Sequence, residues 1–175
     1  MKITDFNKQI IKRGISRTYN FKLEITPPSK LINSEWWNHF KITSDISEIL
    51  SFQCTSVNFP AMNLNMEGEI YNIPTSKTND DLKVSVRCGK DLMEKKFFDA
   101  WMNSIVNQKN FLLSYIDDMK SVLKLHKLDD KNNIIQTVSY IDAFPQSVTG
   151  LEANHDSGNI DTFTVDFTYR KWLFE

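Results

Sequence analysis

Apolar and polar residues alternate with period two on both sides of a single long helical pattern, and that arrangement constrains the fold more than any other feature. Tyr19-Asn20-Phe21-Lys22-Leu23-Glu24-Ile25 alternates strictly, as do Leu82 to Cys88 and Thr162 to Tyr169. Alternation of this kind gives a strand one buried and one solvated face. Leu50, Phe52 and Cys54 against Ser51, Gln53 and Thr55 predict a further strand, and Ser121–Leu128 and Ile134–Ile141 two more. Strands grouped before and after one helix exclude an alternating βαβ sheet. The expected fold is mainly β (α+β), an antiparallel β-barrel or sandwich with one packed α-helix.

The helical pattern is Phe97, Phe98, Trp101, Met102, Ile105 and Val106, preceded by Asp91-Leu92-Met93-Glu94, which reads as a capping box. Asp129 to Asn133 is a turn segment, and Asp156-Ser157-Gly158-Asn159 is another. Residues 111–118 read as a further strand or an edge connection. Residues 1–16 form an N-terminal arm or short helix, followed by a single domain over 17–175. Between Pro28 and Ser47 the chain is irregular, yet Trp36, Trp37 and Phe40 make it too aromatic for a free linker. Met62 to Tyr71 predicts a hairpin bent near Glu67-Gly68, closed by Pro74 and followed by a polar loop from Thr75 to Asp81.

Chemistry is sparse. His39, His126 and His155 lie far apart, and Cys54 and Cys88 show no paired close spacing of the kind zinc sites use. Both cysteines sit in alternating patterns, as buried reduced thiols do. Asp117-Asp118 and Asp129-Asp130 are neighbours in sequence and read as solvated charge, not as an acid and base facing a cleft. No nucleophile elbow, P-loop or dinucleotide fingerprint occurs. No catalytic, cofactor-binding or metal-binding residues are assigned, and no enzyme is expected. A net charge of −1 argues against a dedicated duplex-binding protein. The start lacks the apolar centre of a secretory signal and no run spans a bilayer, so no membrane anchor is expected. An aromatic-lined barrel holding a small apolar ligand is the alternative from another functional class.

Towards the C-terminus, Tyr140-Ile141-Asp142-Ala143-Phe144-Pro145-Gln146-Ser147-Val148, Leu151, the run Ile160 to Tyr169 and Trp172 follow one another. This order resembles the tail tube family of contractile-tailed bacteriophages, with its aromatic-Pro turn and closing strand. Tyr19–Ile25, Phe52-Gln53-Cys54 with Phe59-Pro60, the Met62–Pro74 arm and the Phe97–Val106 helix match the family's earlier elements. The segment from Phe6 to Arg17 also resembles the start of baseplate tube proteins, which share the fold and initiate the tube. A more distant resemblance is to type VI secretion tube proteins.

The resemblance implies a structural protein of the virion tail, assembled in the host cytoplasm as hexameric rings stacked around a channel for DNA. It implies tail sheath, baseplate and tail-terminator proteins as partners, with tape measure protein and transient dsDNA in the lumen. The contact between rings is expected at the projecting hairpin, through Met62, Leu64, Met66, Glu67, Ile70, Tyr71 and Pro74.

Overall fold

The computed structural model describes residues 20–67, 73–108, 111–151 and 160–175. The proposed arm at 1–16 and the turn at 156–159 lie outside them. The strand expected at Tyr19–Ile25 is β1 (Phe21–Ile25), in which Leu23 and Ile25 are buried while Lys22 and Glu24 face outward. It pairs antiparallel with β6 (Ser121–Leu128), setting Leu23 opposite Leu125 and Ile25 opposite Leu123. The next strand, β7 (Ile134–Val148), returns along β6 through the expected turn. Asp129 builds that turn by accepting the Lys131 and Asn133 backbone N–H groups at 2.7 and 2.8 Å.

The sequence places a turn at Phe144-Pro145, yet β7 runs on through it for 15 residues. Its first part pairs with β6 on one side and with β9 (Lys171–Phe174) on the other. From Phe144 it pairs instead with β8 (Thr162–Thr168). Asp142, in the left-handed region at φ 55°, marks the change. The neighbouring Pro145 lies beside a register shift, where a missing N–H is tolerated. The sheet continues from β8 to β5 (Leu82–Arg87) and ends at β2 (Cys54–Val57), giving the order β1-β6-β7-β8-β5-β2 with β9 attached to β7. Both β1 and β2 are therefore edge strands of this sheet.

The long helix, α4 (Met93–Ile105), buries Phe97, Phe98, Ala100 and Trp101 against the sheet. Phe98 meets Phe163 and Phe167 edge-on at 5.8 and 5.9 Å, and Trp101 meets Phe167 at 6.0 Å. The Trp101 indole N–H donates to the Met119 carbonyl at 2.9 Å. These rings fill the interior that a ligand-binding barrel would have kept open. The capping box is corrected: Leu92 is the capping residue, in left-handed conformation, and Asp91 makes no cap. Glu94 does reach back, but its carboxylate accepts the Gly89 N–H at 3.0 Å.

Residues 29–53 form an outer layer, α1 (Ser29–Ile32), α2 (Glu35–His39) and α3 (Ile46–Gln53), so the expected single helix is one of several. Leu31, Ile42, Ile46 and Leu50 are buried, and Trp37 meets Phe97 edge-on at 6.3 Å. With this layer on one side and the sheet on the other, every residue of α4 is buried or half-buried. The strand expected at Leu50-Phe52-Cys54 is corrected as well. Ile46 and Leu50, four apart, point into the core while Phe52 is 87 % exposed, which is a helical period. The strand begins only at Cys54. Residues 111–118 hold a bridge from Leu113 back to Val106 and a short helix, α5 (Ile116–Met119), in place of a regular strand.

Candidate assembly surfaces

The hairpin consists of β3 (Met62–Glu67) and β4 (Ile73–Asn79), which pair with each other and with no other described strand. It is longer than the sequence suggests. Thr75–Asn79, expected as loop, is strand, in register from Met62 opposite Asn79 to Glu67 opposite Ile73. Along β3 the side chains alternate. Asn63 donates to Asp80 at 2.9 Å and Asn65 to the Ser76 hydroxyl at 2.8 Å, while Met62, Leu64 and Met66 occupy the other face. The extra residue of the bulge is Thr75, on β4, so the alternation of β3 is undisturbed.

The apolar face is open, with Met62, Leu64 and Met66 exposed by 51, 57 and 50 %. Glu67 and Pro74 are exposed as well. The structure thus brings Met62, Leu64, Met66, Glu67 and Pro74 onto one projection, while Ile70 and Tyr71 lie outside the described residues. At the base, the Tyr169 hydroxyl donates to the Asp80 carbonyl at 2.7 Å, and midway along the ribbon the Lys77 ammonium, opposite Leu64, lies 5.9 Å from the Trp172 ring centroid. An isolated two-stranded ribbon is marginal in water, and about half of the surface of its apolar stripe stays open to solvent.

A second open apolar segment is one that sequence reasoning missed. Phe111, Leu112, Leu113 and Tyr115, just beyond α4, are between 65 and 83 % exposed. As a pattern the run suggests a strand, because apolar residues are ordinarily taken to be buried; only packing reveals that these are not.

The sequence matches the family model of phage tail tube proteins over residues 16–175. The chain belongs to the phage tail tube protein family. Its role is that of a structural subunit of the tail tube in the virion, and the family is one of structural tube proteins. A search of curated proteins finds no match to this tail tube protein. Among solved structures it is similar to the tube-terminating cap of the anti-feeding prophage, with TM-score 0.63 and 13 % identity over 93 % of this chain and 92 % of that one. It is also similar to a chain of the sheath–tube complex of an extracellular contractile injection system in the extended state, at 0.56 and 14 % over 96 % of each. A double mutant of the Hcp1 protein from the E. coli EAEC 042 pathovar aligns at 0.53 and 6 % over 89 % of each.

Elsewhere the tail tube protein carries polar groups in structural settings. His126 is buried between β1 and β7, its Nδ1 2.8 Å from the Thr137 hydroxyl and its Nε2 3.4 Å from Glu24. Burial pushes the Cys54 thiol up to about 12. The Cys88 thiol is pushed up to about 11, by burial first and then by the Glu94 and Asp161 carboxylates. Both cysteines are free, and among the described residues no group of three or more His, Cys, Asp or Glu could hold a metal. Asp117 pairs with Lys120 at 2.7 Å and Asp118 with Lys30 at 2.6 Å. Asp142 binds Arg170 at 2.5 Å and Lys120 at 3.3 Å, tying the bend of β7 to both flanking segments. Burial works to raise the Asp142 carboxyl, and the hydrogen bonds and charges of Lys120 and Arg170 outweigh it, holding the group below its usual value. No helix among the described residues is long and apolar enough to cross a membrane.

Proposed function

We propose that this tail tube protein forms hexameric rings that stack into the inner tube of a contractile tail, with the hairpin β3–β4 as the contact between rings. The observation that carries the reading is the hairpin itself, which leaves the sheet and exposes Met62, Leu64 and Met66 along one face. With them we group Glu67, Pro74 and, beyond the described residues, Ile70 and Tyr71. Within a ring, β1 and β2 are edge strands whose outward N–H and C=O groups suit pairing with a neighbouring copy. Two different edges make a head-to-tail contact, and closure into a ring prevents indefinite lateral growth. The Cys54-Thr55-Ser56-Val57 edge carries no charged side chain to block such pairing.

The tail sheath, baseplate and tail-terminator proteins are the proposed partners, in keeping with the fold of a chain from a sheath–tube complex. Tape measure protein and then dsDNA would occupy the lumen. A net charge of −1 suits a wall that does not retain phosphate. We read residues 17–175 as one domain and 1–16 as an arm.

Purified protein examined by negative-stain electron microscopy at rising concentration tests the proposal. Wild type is expected to give hollow tubes, and a deletion of 64–72 rings or short stacks. Tubes of normal length from the deletion would sink the hairpin assignment. Isolated wild-type rings would favour a baseplate tube role for the same fold.

A further inference from the structure

The exposed run beyond α4 is held too firmly to be a slack connection. The Asn107 N–H donates to the Leu112 carbonyl at 3.1 Å, and the Ser114 N–H donates to the Ile105 carbonyl at 2.9 Å. The Ser114 hydroxyl donates to the Ser104 carbonyl at 2.6 Å, and Val106 and Leu113 form an antiparallel bridge. This backbone is therefore fastened to the end of α4. Its large side chains nevertheless point outward, with Phe111, Leu113 and Tyr115 exposed by 79, 75 and 83 %. Phe111 is held at φ 55°, a conformation that a residue with a Cβ adopts at a cost. A segment whose backbone is bonded to its own helix end while its aromatic side chains stay exposed presents a surface.

Topology places that surface at the end of the sheet where the hairpin joins it. Along β8, Phe163 lies opposite Val86 and Phe167 opposite Leu82 of β5. Phe98 touches both phenylalanines, whereas Trp101, nearly one turn further on, touches only Phe167 of the two. The helix thus runs antiparallel to β5 and ends at the Leu82 side of the sheet. The hairpin joins the sheet at that same side, since β4 ends at Asn79 and β5 begins at Leu82.

We infer that Phe111, Leu113 and Tyr115 form a second half of the axial contact, docking with the hairpin onto the next copy of this chain. This rests on the stacked-ring reading. The two segments share an end of the subunit, and their exposed apolar side chains together offer on the order of 800 Å², the area each partner contributes to a stable interface. The hairpin's apolar side chains alone offer less than half of that. Methionines from one segment and aromatic rings from the other would give the contact both adaptability and stiffness.

The test uses the full chain carrying F111S, L113S and Y115S together, beside wild type, with thermal unfolding, sedimentation and negative-stain microscopy. The expected result is a subunit that melts like wild type and closes into rings, with at least tenfold less protein in pelletable tubes. Should the triple variant misfold, the single change Phe111→Lys serves, and it is expected to shorten tubes while leaving the melt unchanged. Tubes of wild-type yield from a folded variant would overturn the inference and leave the loop to a partner outside the tube. Folded monomers without rings would also overturn it, by assigning the loop to lateral closure. A wild type that forms neither rings nor tubes would remove the stacked-ring reading itself, and this inference with it.

Discussion

Replacing Leu64 with serine separates assembly from folding. Leu64 is 57 % exposed, at the middle of β3 and opposite Lys77. Its open surface is on the order of 100 Å², and at about 25 cal/mol per Å² its burial in a stacked tube would stabilise each contact by at most roughly 2.5 kcal/mol. The isolated subunit should hardly notice the change, because surface substitutions of this kind stay within about 0.5 kcal/mol. A ring multiplies the effect: over a hexameric junction the loss approaches roughly 15 kcal/mol before association costs are counted. Leu64→Ser is therefore expected to raise the concentration needed for tubes by orders of magnitude while leaving the melting curve of the subunit in place. Light scattering against concentration, beside thermal unfolding of the unassembled protein, reads both. A wild-type assembly threshold would refute the axial role of the hairpin face, and a sharp drop in melting temperature would show that Leu64 supports the fold instead.

Two further outcomes follow from the packing and the charges. Trp101→Phe keeps most of the ring but removes the donor to the buried Met119 carbonyl, so it should cost about 1–3 kcal/mol in denaturant unfolding, against about 3–5 for Trp101→Ala; a cost near zero for Trp101→Phe would show that the hydrogen bond contributes nothing separable. Glu24, Asp129, Asp142 and Glu175 all have lowered pKa values, so the stability they supply is present above the unfolded-state values of 3.8 for Asp and 4.5 for Glu and is lost as pH falls through the lower folded-state values. Melting temperature should therefore fall between about pH 5 and about pH 2, and less steeply in Asp142→Asn; a flat profile would contradict the assignment.

Much of the architecture was legible because its cause is local. Strict alternation located β1, β5 and β8, a looser strand pattern located β6, helical spacing located α4, and the Asp129–Asn133 turn followed from side chains that bond their own backbone. The projecting hairpin was also visible through its alternating β3, although Pro74, expected to close it, lies inside β4. What the sequence left undecided has a common reason: periodicity reports which residues share a face, not what that face meets. Leu50 and Cys54 are compatible with a strand or a helix turn, and burial of Ile46 beside Leu50 selected the helix. Thr75–Asn79 shows no apolar alternation because neither side of a projecting ribbon enters the core, so it passed for a loop. Pro145 looked like a strand end, but β7 changes partners there and can lose an N–H without losing its pairing. The same limit hid the second apolar surface. Phe111, Leu113 and Tyr115 are no less hydrophobic than the residues that line the core, and it is the tertiary structure, with their backbone bonded to the end of α4, that leaves them facing solvent.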